Sequence, residues 1–280
     1  MSVETNLKKL FSLEEKIILM TGAAGGIGAE LSKGMAGAGA FMCNCDISEH
    51  GLNKLSEEIA SEGGAARSYI MDVTDKESIQ ASVDAVIAEF GRIDVLVNVA
   101  GINKREGFLD VLEETYDRIM DINLKSVFLV TQAVVPHMMK RRAGSIVNIG
   151  SHNATAMLGG CGVYGTTKSG VVALTRSMAV EWAEWGIRAN AISPGHFITP
   201  LTRVTWEHPT RGDYLRDRIA MRRPGEPEEI LGLAVLLASD ASSYMTGANY
   251  VLDGGCLAGG APWDFDSEYR FSGPGPSPTP

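Results

Sequence analysis

Cysteine and basic residues are scarce in this 280-residue chain. It has four cysteines, and its 25 Lys and Arg stand against 34 Asp and Glu, a formal net charge of −9. With no basic stripe, the chain is not expected to bind nucleic acid, because such proteins cluster cations to hold phosphates. Cys43 and Cys45 form a Cys-x-Cys pair on an apolar segment with no second pair, so the sequence predicts buried thiols and no metal site.

Long apolar runs and targeting segments are also missing. No 18-residue apolar stretch and no secretory signal stands out, so we expect a soluble, cytoplasmic protein without a membrane partner. The few cysteines agree with that compartment. No linker interrupts the alternation of strand-like and helix-like segments up to about Gly255, which favours one domain despite the length of the chain.

The alternation predicts a single Rossmann-type, doubly wound α/β domain over residues 12–256. A short segment, 1–11, precedes it, and a tail, 257–280, follows. Seven apolar segments predict the strands of a parallel sheet with both faces covered: 16–21, 40–45, 67–71, 95–99, 145–149, 188–192 and 250–253. The main helices are predicted at 76–90, 116–141 and 162–184. In such a sheet, ligands bind at the carboxyl ends of the strands.

The first predicted strand runs into a glycine-rich turn and then a helix, the order that binds phosphate. Gly22 permits a tight turn, Gly26 lets the backbone approach a pyrophosphate, and Gly28 lets the helix pack against the strand. The spacing Gly-x-x-x-Gly-x-Gly differs from the common Gly-x-Gly-x-x-Gly. Because glycine clusters also mark ordinary turns, the motif alone leaves both interpretations open.

Asp46 ends the second predicted strand, 24 positions after Gly22. A carboxylate there is placed to bind the adenosine ribose 2′-hydroxyl of a dinucleotide and to repel a 2′-phosphate. No Arg or Lys occurs in 23–25 or 47–48 to receive that phosphate, so NAD is the predicted cofactor. The alternative is that Asp46 only begins a turn in which Ser48 caps the following helix.

Tyr164 and Lys168 lie four positions apart, with Ser151 thirteen positions before Tyr164 at the end of an apolar strand. On a helix, an i,i+4 pair places phenol and ammonium side by side. A neighbouring positive charge favours phenolate, so the tyrosine is predicted to act as a base below its usual pKa of about 10. Such pairs also occur on ordinary helices, and the interpretation depends on the motifs around them.

Together these motifs resemble the short-chain dehydrogenase/reductase family over residues 12–256, and in particular its branch of gluconate 5-dehydrogenases and related sugar dehydrogenases. The shared signals occur in the family's order: Thr21-Gly22-x-x-x-Gly26-x-Gly28, Asp72-Val73, Asn98-x-Ala100-Gly101, Asn123, Ser151, Tyr164-x-x-x-Lys168 and Pro194-Gly195 followed by Thr199. Two positions depart from the family pattern. Val99 replaces a usual Asn, and Phe197 replaces a usual Ile or Val, which is expected to reshape the nicotinamide end.

The resemblance implies a role for each matching residue. The catalytic residues would be Asn123, Ser151, Tyr164 and Lys168, interconverting a secondary alcohol and a ketone by hydride transfer. The cofactor-binding residues would be Gly22, Gly26, Ile27, Gly28, Asp46, Asp72, Val73, Asn98, Ala100, Gly101, Tyr164, Lys168 and Thr199. The resemblance also implies a homodimer or homotetramer joined through the helices predicted at 116–141 and 162–184.

The substrate is less well defined by the sequence. The long connection 196–223 is predicted to be a substrate loop, although a plain surface loop is the alternative. Ser151, Tyr164, His152, Asn153 and His196 are predicted to bind substrate, and their hydrogen-bonding groups favour a polyol, an aldonate or a keto-sugar. The enzyme alternatives are a 3-oxoacyl carrier-protein reductase and a hydroxysteroid dehydrogenase. A non-catalytic dinucleotide sensor or scaffold is the alternative of another class.

The tail changes composition after Gly255. Its last nine residues contain four prolines and two glycines, which favour an extended chain end. Four aromatic residues before them are predicted to anchor the tail on a neighbouring subunit: Trp263, Phe265, Tyr269 and Phe271.

Overall fold

The computed structural model describes residues 3–199 and 202–259. Within them lie the predicted domain, except for residues 200 and 201, and the first three residues of the predicted tail. The four aromatic residues predicted to anchor the tail lie outside the described residues. The segment before the domain contains one helix, α1 (Val3–Phe11).

A seven-stranded parallel sheet forms the centre of the domain, as the sequence predicted. Its strands are β1 (Ile17–Thr21), β2 (Phe41–Asp46), β3 (Ala65–Ile70), β4 (Val95–Asn98), β5 (Gly144–Ile149), β6 (Ile187–Pro194) and β7 (Asn249–Leu252). They lie in the order β3-β2-β1-β4-β5-β6-β7. The order reverses between β1 and β4, which is the switch point where ligands bind in doubly wound folds.

Helices cover both faces of this sheet. They are α2 (Gly26–Gly37), α3 (Glu49–Ser61), α4 (Lys76–Phe90), α5 (Glu113–Met120), α6 (Ser126–Arg141), α7 (Gly162–Trp182), α8 (Arg203–Trp206), α9 (Pro209–Asp217) and α10 (Leu231–Ala238). Local signals set several ends. The Asp75 carboxylate accepts the Glu77 N–H to begin α4, and Gly91, with φ +69°, ends it.

The sequence predicted one helix over 116–141, and the structure divides it. A turn of π-helix, Asp121–Lys125, joins α5 to α6. Taken as one helix, Glu113–Arg141 is long and apolar enough to span a membrane by length and composition. This differs from the expectation of no such stretch. The core-facing side chains of α6, including Val130, Val134 and Met138, pack against the sheet. A helix that is apolar because it packs in a protein core can have the same length and composition as a membrane-spanning helix.

Two large apolar clusters pack on the sheet, and a third, smaller cluster consists of Trp206, Leu215 and Ile219. Strand β1 is buried along its whole length, as a central parallel strand requires. Residues that follow the seven strands therefore meet at one edge. The structure places the glycine turn after β1, Asp46 at the end of β2, Ser151 after β5 and His196 after β6 at this shared edge.

Candidate active site

A cavity of about 1030 Å³ opens along the carboxyl edge of the sheet. Nearly all of the residues predicted to form the site line this single cavity. They are Gly22, Gly26, Ile27, Gly28, Asp46, Asp72, Val73, Ala100, Gly101, Ser151, His152, Asn153, Tyr164, Lys168, His196 and Thr199. Two predicted residues, Asn98 and Asn123, do not line it.

The glycine turn brings its backbone close to neighbouring chain segments at two positions. Gly22 has φ +66°, and a Cβ there would lie 2.7 Å from the backbone of Ala100. A Cβ on Gly28 would lie 2.1 Å from the carbonyl oxygen of Gly22. Neither position tolerates a side chain without a shift of backbone. The first turn of α2 consequently faces the cavity through backbone N–H groups, the arrangement that binds phosphate.

Asp46 connects β2 to the glycine turn. Its Oδ2 accepts a hydrogen bond from the Ala24 N–H at 3.0 Å, and its Oδ1 accepts one from the Ser48 N–H at 3.0 Å. Ser48 also caps α3 by accepting from the Gly51 N–H at 3.1 Å. The capping turn offered as an alternative for Asp46 is therefore present, and the carboxylate lines the cavity as well.

Asn98 does not line the cavity, and its role in binding the cofactor stays a prediction. Its side chain is 4 % exposed and points between strands, where Nδ2 donates to Oδ1 of Asn148 at 2.8 Å. The two asparagines are register partners on β4 and β5. Asn98 thus connects β4 to β5 through its side chain. The next residues, Val99 to Gly101, line the cavity.

The two departures from the family pattern have small local consequences. Val99 packs on the apolar cluster beside β1, and its N–H donates to the Thr21 hydroxyl at 3.3 Å. The Phe197 ring is 7 % exposed and lies against Gly225, where a Cβ would come within 2.6 Å of it. Phe197 thus lines the cavity from a fixed position in the core.

Lys168 is the buried cation of the site. It is 4 % exposed, its Nζ donates to the carbonyl oxygen of Ile149 at 2.8 Å, and it lies 5.7 Å from the centre of the Tyr164 ring. The α7 helix places the two side chains on one face, as the i,i+4 spacing predicted. The Ser151 hydroxyl follows β5 and accepts from the Asn153 N–H at 3.1 Å.

The pKa of Tyr164 shifts in the opposite direction from the one expected of Lys168 alone. Burial raises the pKa of the phenol, a hydrogen bond with Ser151 lowers it, and the nearby Cys161 thiol raises it. Burial also lowers the pKa of Lys168 to about 8. Desolvation disfavours both charged forms and is the largest cause of each shift.

Asn123 lies beneath the cavity in the π-helical turn. Its Oδ1 accepts from the Ile102 N–H at 2.8 Å and its Nδ2 donates to the Ile102 carbonyl at 2.8 Å. A Cβ on Gly101 would lie 3.4 Å from Asn123 Oδ1 and 3.5 Å from Lys168 Nζ, so the two groups share one small region. The π turn is the local feature that points Asn123 inward, and such turns are frequent at functional sites.

The predicted substrate loop folds into α8 and α9. Trp206, at the end of α8, is 5 % exposed, lines the cavity, and donates through Nε1 to the Phe197 carbonyl at 3.4 Å. His208 instead caps α9, accepting from the N–H groups of Thr210 and Arg211. Tyr214 is half exposed and stacks with Arg218 at 4.5 Å. Of these three side chains, Trp206 alone lines the cavity, which Phe197 lines from the start of the same loop.

Two histidines lie side by side at this end. The rings of His152 and His196 are in edge contact with centroids 4.6 Å apart, and His196 also meets Trp206 at 6.1 Å. Burial lowers the pKa of His152. Burial, with a smaller contribution from His152, lowers the pKa of His196 to about 4. Both rings are thus largely neutral at pH 7.

Several cavity residues were not predicted from the sequence. Arg105 and Leu158 line the cavity from segments after β4 and before α7, and Thr205 and Leu215 line it from the substrate loop. None belongs to a motif, and only the fold brings them together. Arg105 is exposed and has no ion-pair or hydrogen-bond partner within residues 3–199 and 202–259.

Known proteins resemble this chain over most of its length. A family profile described as enoyl-(acyl carrier protein) reductase matches residues 22–256. D-threitol dehydrogenase of Mycolicibacterium smegmatis is 41% identical over 245 residues, covering 88% of this chain and 94% of that protein. The 3-oxoacyl-[acyl-carrier-protein] reductase of Thermotoga maritima is 41% identical over 247 residues, covering 88% and 99%.

Solved structures agree with these relatives. The crystal structure of a gluconate 5-dehydrogenase from Burkholderia cenocepacia, determined with NADP and tartrate, superposes with a TM-score of 0.87 at 35% identity. The superposition covers 90% of this chain and 99% of the gluconate 5-dehydrogenase chain. The residues matched by the family profile, 22–256, include the glycine turn and the helix that carries Tyr164 and Lys168, which confirms the resemblance drawn from the motifs. The chain belongs to the short-chain dehydrogenase/reductase family and is a nicotinamide-dinucleotide-dependent oxidoreductase.

Proposed function

We propose that this protein interconverts a secondary alcohol and a ketone on a polyol, an aldonate or a keto-sugar, using NAD. The observation that carries the proposal is the sharing of one cavity by the glycine turn, Asp46, and the Ser151, Tyr164 and Lys168 side chains. A dinucleotide extended along the strand ends would reach from the glycine turn and Asp46 to the side chains of Ser151, Tyr164 and Lys168. The threitol and gluconate dehydrogenases among the relatives support the substrate class.

The cavity fits a nicotinamide dinucleotide at several points. Gly22 and Gly28 leave no room for a Cβ and free the start of α2 for a pyrophosphate. Asp46 would hold the adenosine ribose, and Asp72 and Val73 would contact the adenine. Ala100 and Gly101 would line the floor of the cofactor site. Thr199 would hold the carboxamide. These roles remain proposals from the family resemblance and from the position of each residue in the cavity.

The bound dinucleotide supplies the hydride acceptor for the alcohol, or the hydride donor for the ketone. The chain's own residues move the proton. In the oxidising direction, the Tyr164 phenolate accepts the substrate hydroxyl proton, and Ser151 orients the oxygen that loses it. Lys168, held on the Ile149 carbonyl, favours the phenolate, and Asn123 positions the backbone near Lys168.

The polar lining supports a polyhydroxylated substrate. The Asn153 side-chain oxygen is buried without a hydrogen-bond partner among the described residues, and Asn153 lines the cavity beside Ser151. A substrate hydroxyl would satisfy that oxygen. His152 and His196 add polar edges. Arg105, with no acidic partner in the described part of the chain, offers a guanidinium fork that suits a carboxylate and so favours an aldonate.

Replacing Arg105 tests the substrate proposal. For Arg105→Gln, we expect KM for an aldonate such as gluconate to rise about tenfold or more, while KM for an uncharged polyol such as threitol changes less than about twofold. The neighbouring Lys104 is the matched control, because it is exposed, does not line the cavity and pairs with Glu106 at 2.7 Å. An equal effect of Arg105→Gln and Lys104→Gln on the aldonate would contradict the assignment.

The preference for NAD is proposed on the Asp46 carboxylate. It lines the cavity, and no Arg or Lys occurs in 23–25 or 47–48 to receive a 2′-phosphate. The related gluconate 5-dehydrogenase structure contains NADP, so family membership alone does not choose between the two cofactors. The charge next to the ribose is the feature of this chain that favours NAD.

A 3-oxoacyl carrier-protein reductase is the second candidate, because the Thermotoga maritima reductase is as similar as the threitol dehydrogenase. That activity is expected to require a basic surface for the acidic carrier protein, whereas this chain has a net charge of −9. Turnover of an acyl thioester and silence on polyols would support it. A hydroxysteroid dehydrogenase is disfavoured by the polar lining around Asn153 and Arg105.

We also propose that the protein is a homodimer or homotetramer. Exposed apolar side chains on the long helices provide a surface for it: Phe128 on α6 is 45% exposed and Val180 on α7 is 82% exposed. Such residues are candidates for burial between subunits. Light scattering of the purified protein should give a mass of two or four chains, and a monomer at micromolar concentration would contradict the proposal.

A reducing, cytoplasmic location is proposed from the cysteines. All four are free thiols, and Cys43, Cys45 and Cys161 are buried in the fold. Burial raises the pKa of Cys43 to about 12, so its reactive thiolate is disfavoured. Thiols of this kind persist in compartments that keep cysteine reduced.

A further inference from the structure

Three side chains with no assigned part in proton or hydride transfer lie close together near the substrate end of the cavity. They are His152, His196 and Cys256, and one ligand atom of each lies within 4.8 Å of the others. His152 follows β5, His196 follows β6 and Cys256 follows β7, so three neighbouring strands assemble the group at one edge. Imidazole nitrogen and thiolate sulfur are the donors that zinc and similar divalent ions prefer.

His152 gives a second, independent indication of a ligand. The residue is 7 % exposed, and its Nδ1 is buried with no hydrogen-bond partner in the described part of the chain. A buried polar atom left without a partner costs about 1–3 kcal/mol, and most such atoms in folded proteins are satisfied. The edge contact with His196 at 4.6 Å keeps the two imidazoles adjacent.

Charges of both signs surround the group, because Arg105 and Arg218 act on His196 while Asp253 acts on both histidines. Asp253 accepts from the N–H groups of Gly255 at 2.9 Å and Leu257 at 2.7 Å, which fixes the turn that carries Cys256. Its negative charge acts on both histidines, against the larger effect of burial, which lowers their pKa. Neutral imidazoles have a free lone pair for a metal. The thiol of Cys256 would lose its proton to solvent on binding.

We propose that His152, His196 and Cys256 bind one zinc ion, or a similar divalent transition metal, as a three-ligand site. Zinc bonds of about 2.0–2.1 Å to nitrogen and about 2.3 Å to sulfur require the side chains to draw together by roughly 1 Å. Both histidines line the cavity, so the remaining coordination position is available to water or to an oxygen of a ligand in the cavity.

Cobalt titration tests this proposal, because Co²⁺ replaces zinc and absorbs light. The full-length chain, first treated with a chelator, should bind one Co²⁺ per chain with tetrahedral d–d bands and a cobalt–thiolate charge-transfer band. Added Zn²⁺ should abolish these bands. For Cys256→Ser, we expect loss of the thiolate band and affinity reduced at least about tenfold. Cys161→Ser is the matched control, since Cys161 lines the same cavity and should keep both signals.

His196→Gln provides a second test of the same group. We expect it to weaken Co²⁺ binding at least about tenfold while circular dichroism shows an intact fold. Absence of stoichiometric Co²⁺ binding, or a thiolate band that persists in Cys256→Ser, would overturn the proposal. Because these signals are read without substrate or dinucleotide, their outcome is separate from that of the proposed dehydrogenase activity.

Discussion

The two ends of the cavity are built in different ways. The end after β1 and β2 uses a short glycine turn, backbone N–H groups and one carboxylate, all within 22–48. The end after β5 and β6 uses side chains from distant segments, including His152, His196 and Trp206. Local backbone geometry thus forms the end proposed to bind the dinucleotide, whereas long-range assembly of side chains forms the end proposed to bind the substrate.

The largest expected effect falls where the two ends meet. Replacing Tyr164 with Phe removes the proton acceptor and keeps the ring, so turnover should fall about 10²–10⁴-fold, the usual contribution of general acid–base catalysis. Dinucleotide affinity, measured by nicotinamide fluorescence, should change less than about threefold. Substantial turnover by Tyr164→Phe would show that another group moves the proton.

The glycine end should be sensitive to a single methyl group. Gly28→Ala places a Cβ 2.1 Å from the Gly22 carbonyl oxygen, and only a backbone shift can relieve this contact. We therefore expect the free energy of unfolding to fall by about 3 kcal/mol and dinucleotide binding to be lost. Gly37→Ala, in the same helix, is the control because nothing lies within 4 Å of its Cβ. Denaturant unfolding measures both. Equal effects in the two variants would contradict the close-approach account.

Cofactor preference should depend on the charge of Asp46. Asp46→Asn removes that charge while the remaining oxygen can still accept from Ala24, so the ratio of kcat/KM for NAD over NADP should fall about tenfold. The measurement is steady-state kinetics with both cofactors. If the ratio does not move, the discrimination comes from a part of the cavity other than Asp46.

The last expected effect concerns Lys168 and pH. Its folded pKa of about 8 is below its ordinary value of 10.5, so between pH 8 and pH 10 the unfolded chain binds more protons and this group adds stability as pH rises. The slope is at most about 1.4 kcal/mol per pH unit. The free energy of unfolding of the dinucleotide-free protein, minus that of Lys168→Met, should therefore rise between pH 8 and pH 10. A difference that falls with pH would contradict the lowered pKa of Lys168.

How far the sequence reached follows the same division. The seven strands, the glycine turn, Asp46 and the Tyr164-Lys168 pair were predicted because each is encoded within a few neighbouring residues. The side-chain position of Asn98, below the cavity, was not predicted, since it depends on its register with Asn148 across the sheet. Arg105 and Trp206 could not be assigned to the cavity from the sequence because loop conformation decides which side chains enter it.

The proposed metal ligands show the same division. The cysteine spacing in the sequence predicts no metal site, and that prediction and the proposal await the cobalt titration. His152, His196 and Cys256 are separated by tens of residues and meet only because β5, β6 and β7 are adjacent in the sheet. The π turn that points Asn123 inward is similar, because the sequence of 116–141 predicts an unbroken helix.

One kinetic comparison tests the central claim most directly. The wild-type protein is assayed by the absorbance of the reduced nicotinamide. Gluconate, threitol and a steroid alcohol are each tested with the oxidised form of NAD or NADP, and a 3-oxoacyl thioester is tested with the reduced form of each. The account predicts the highest kcat/KM for a polyhydroxylated compound with the NAD couple. Turnover confined to the thioester or the steroid, or silence on the whole panel despite measured dinucleotide binding, would contradict it.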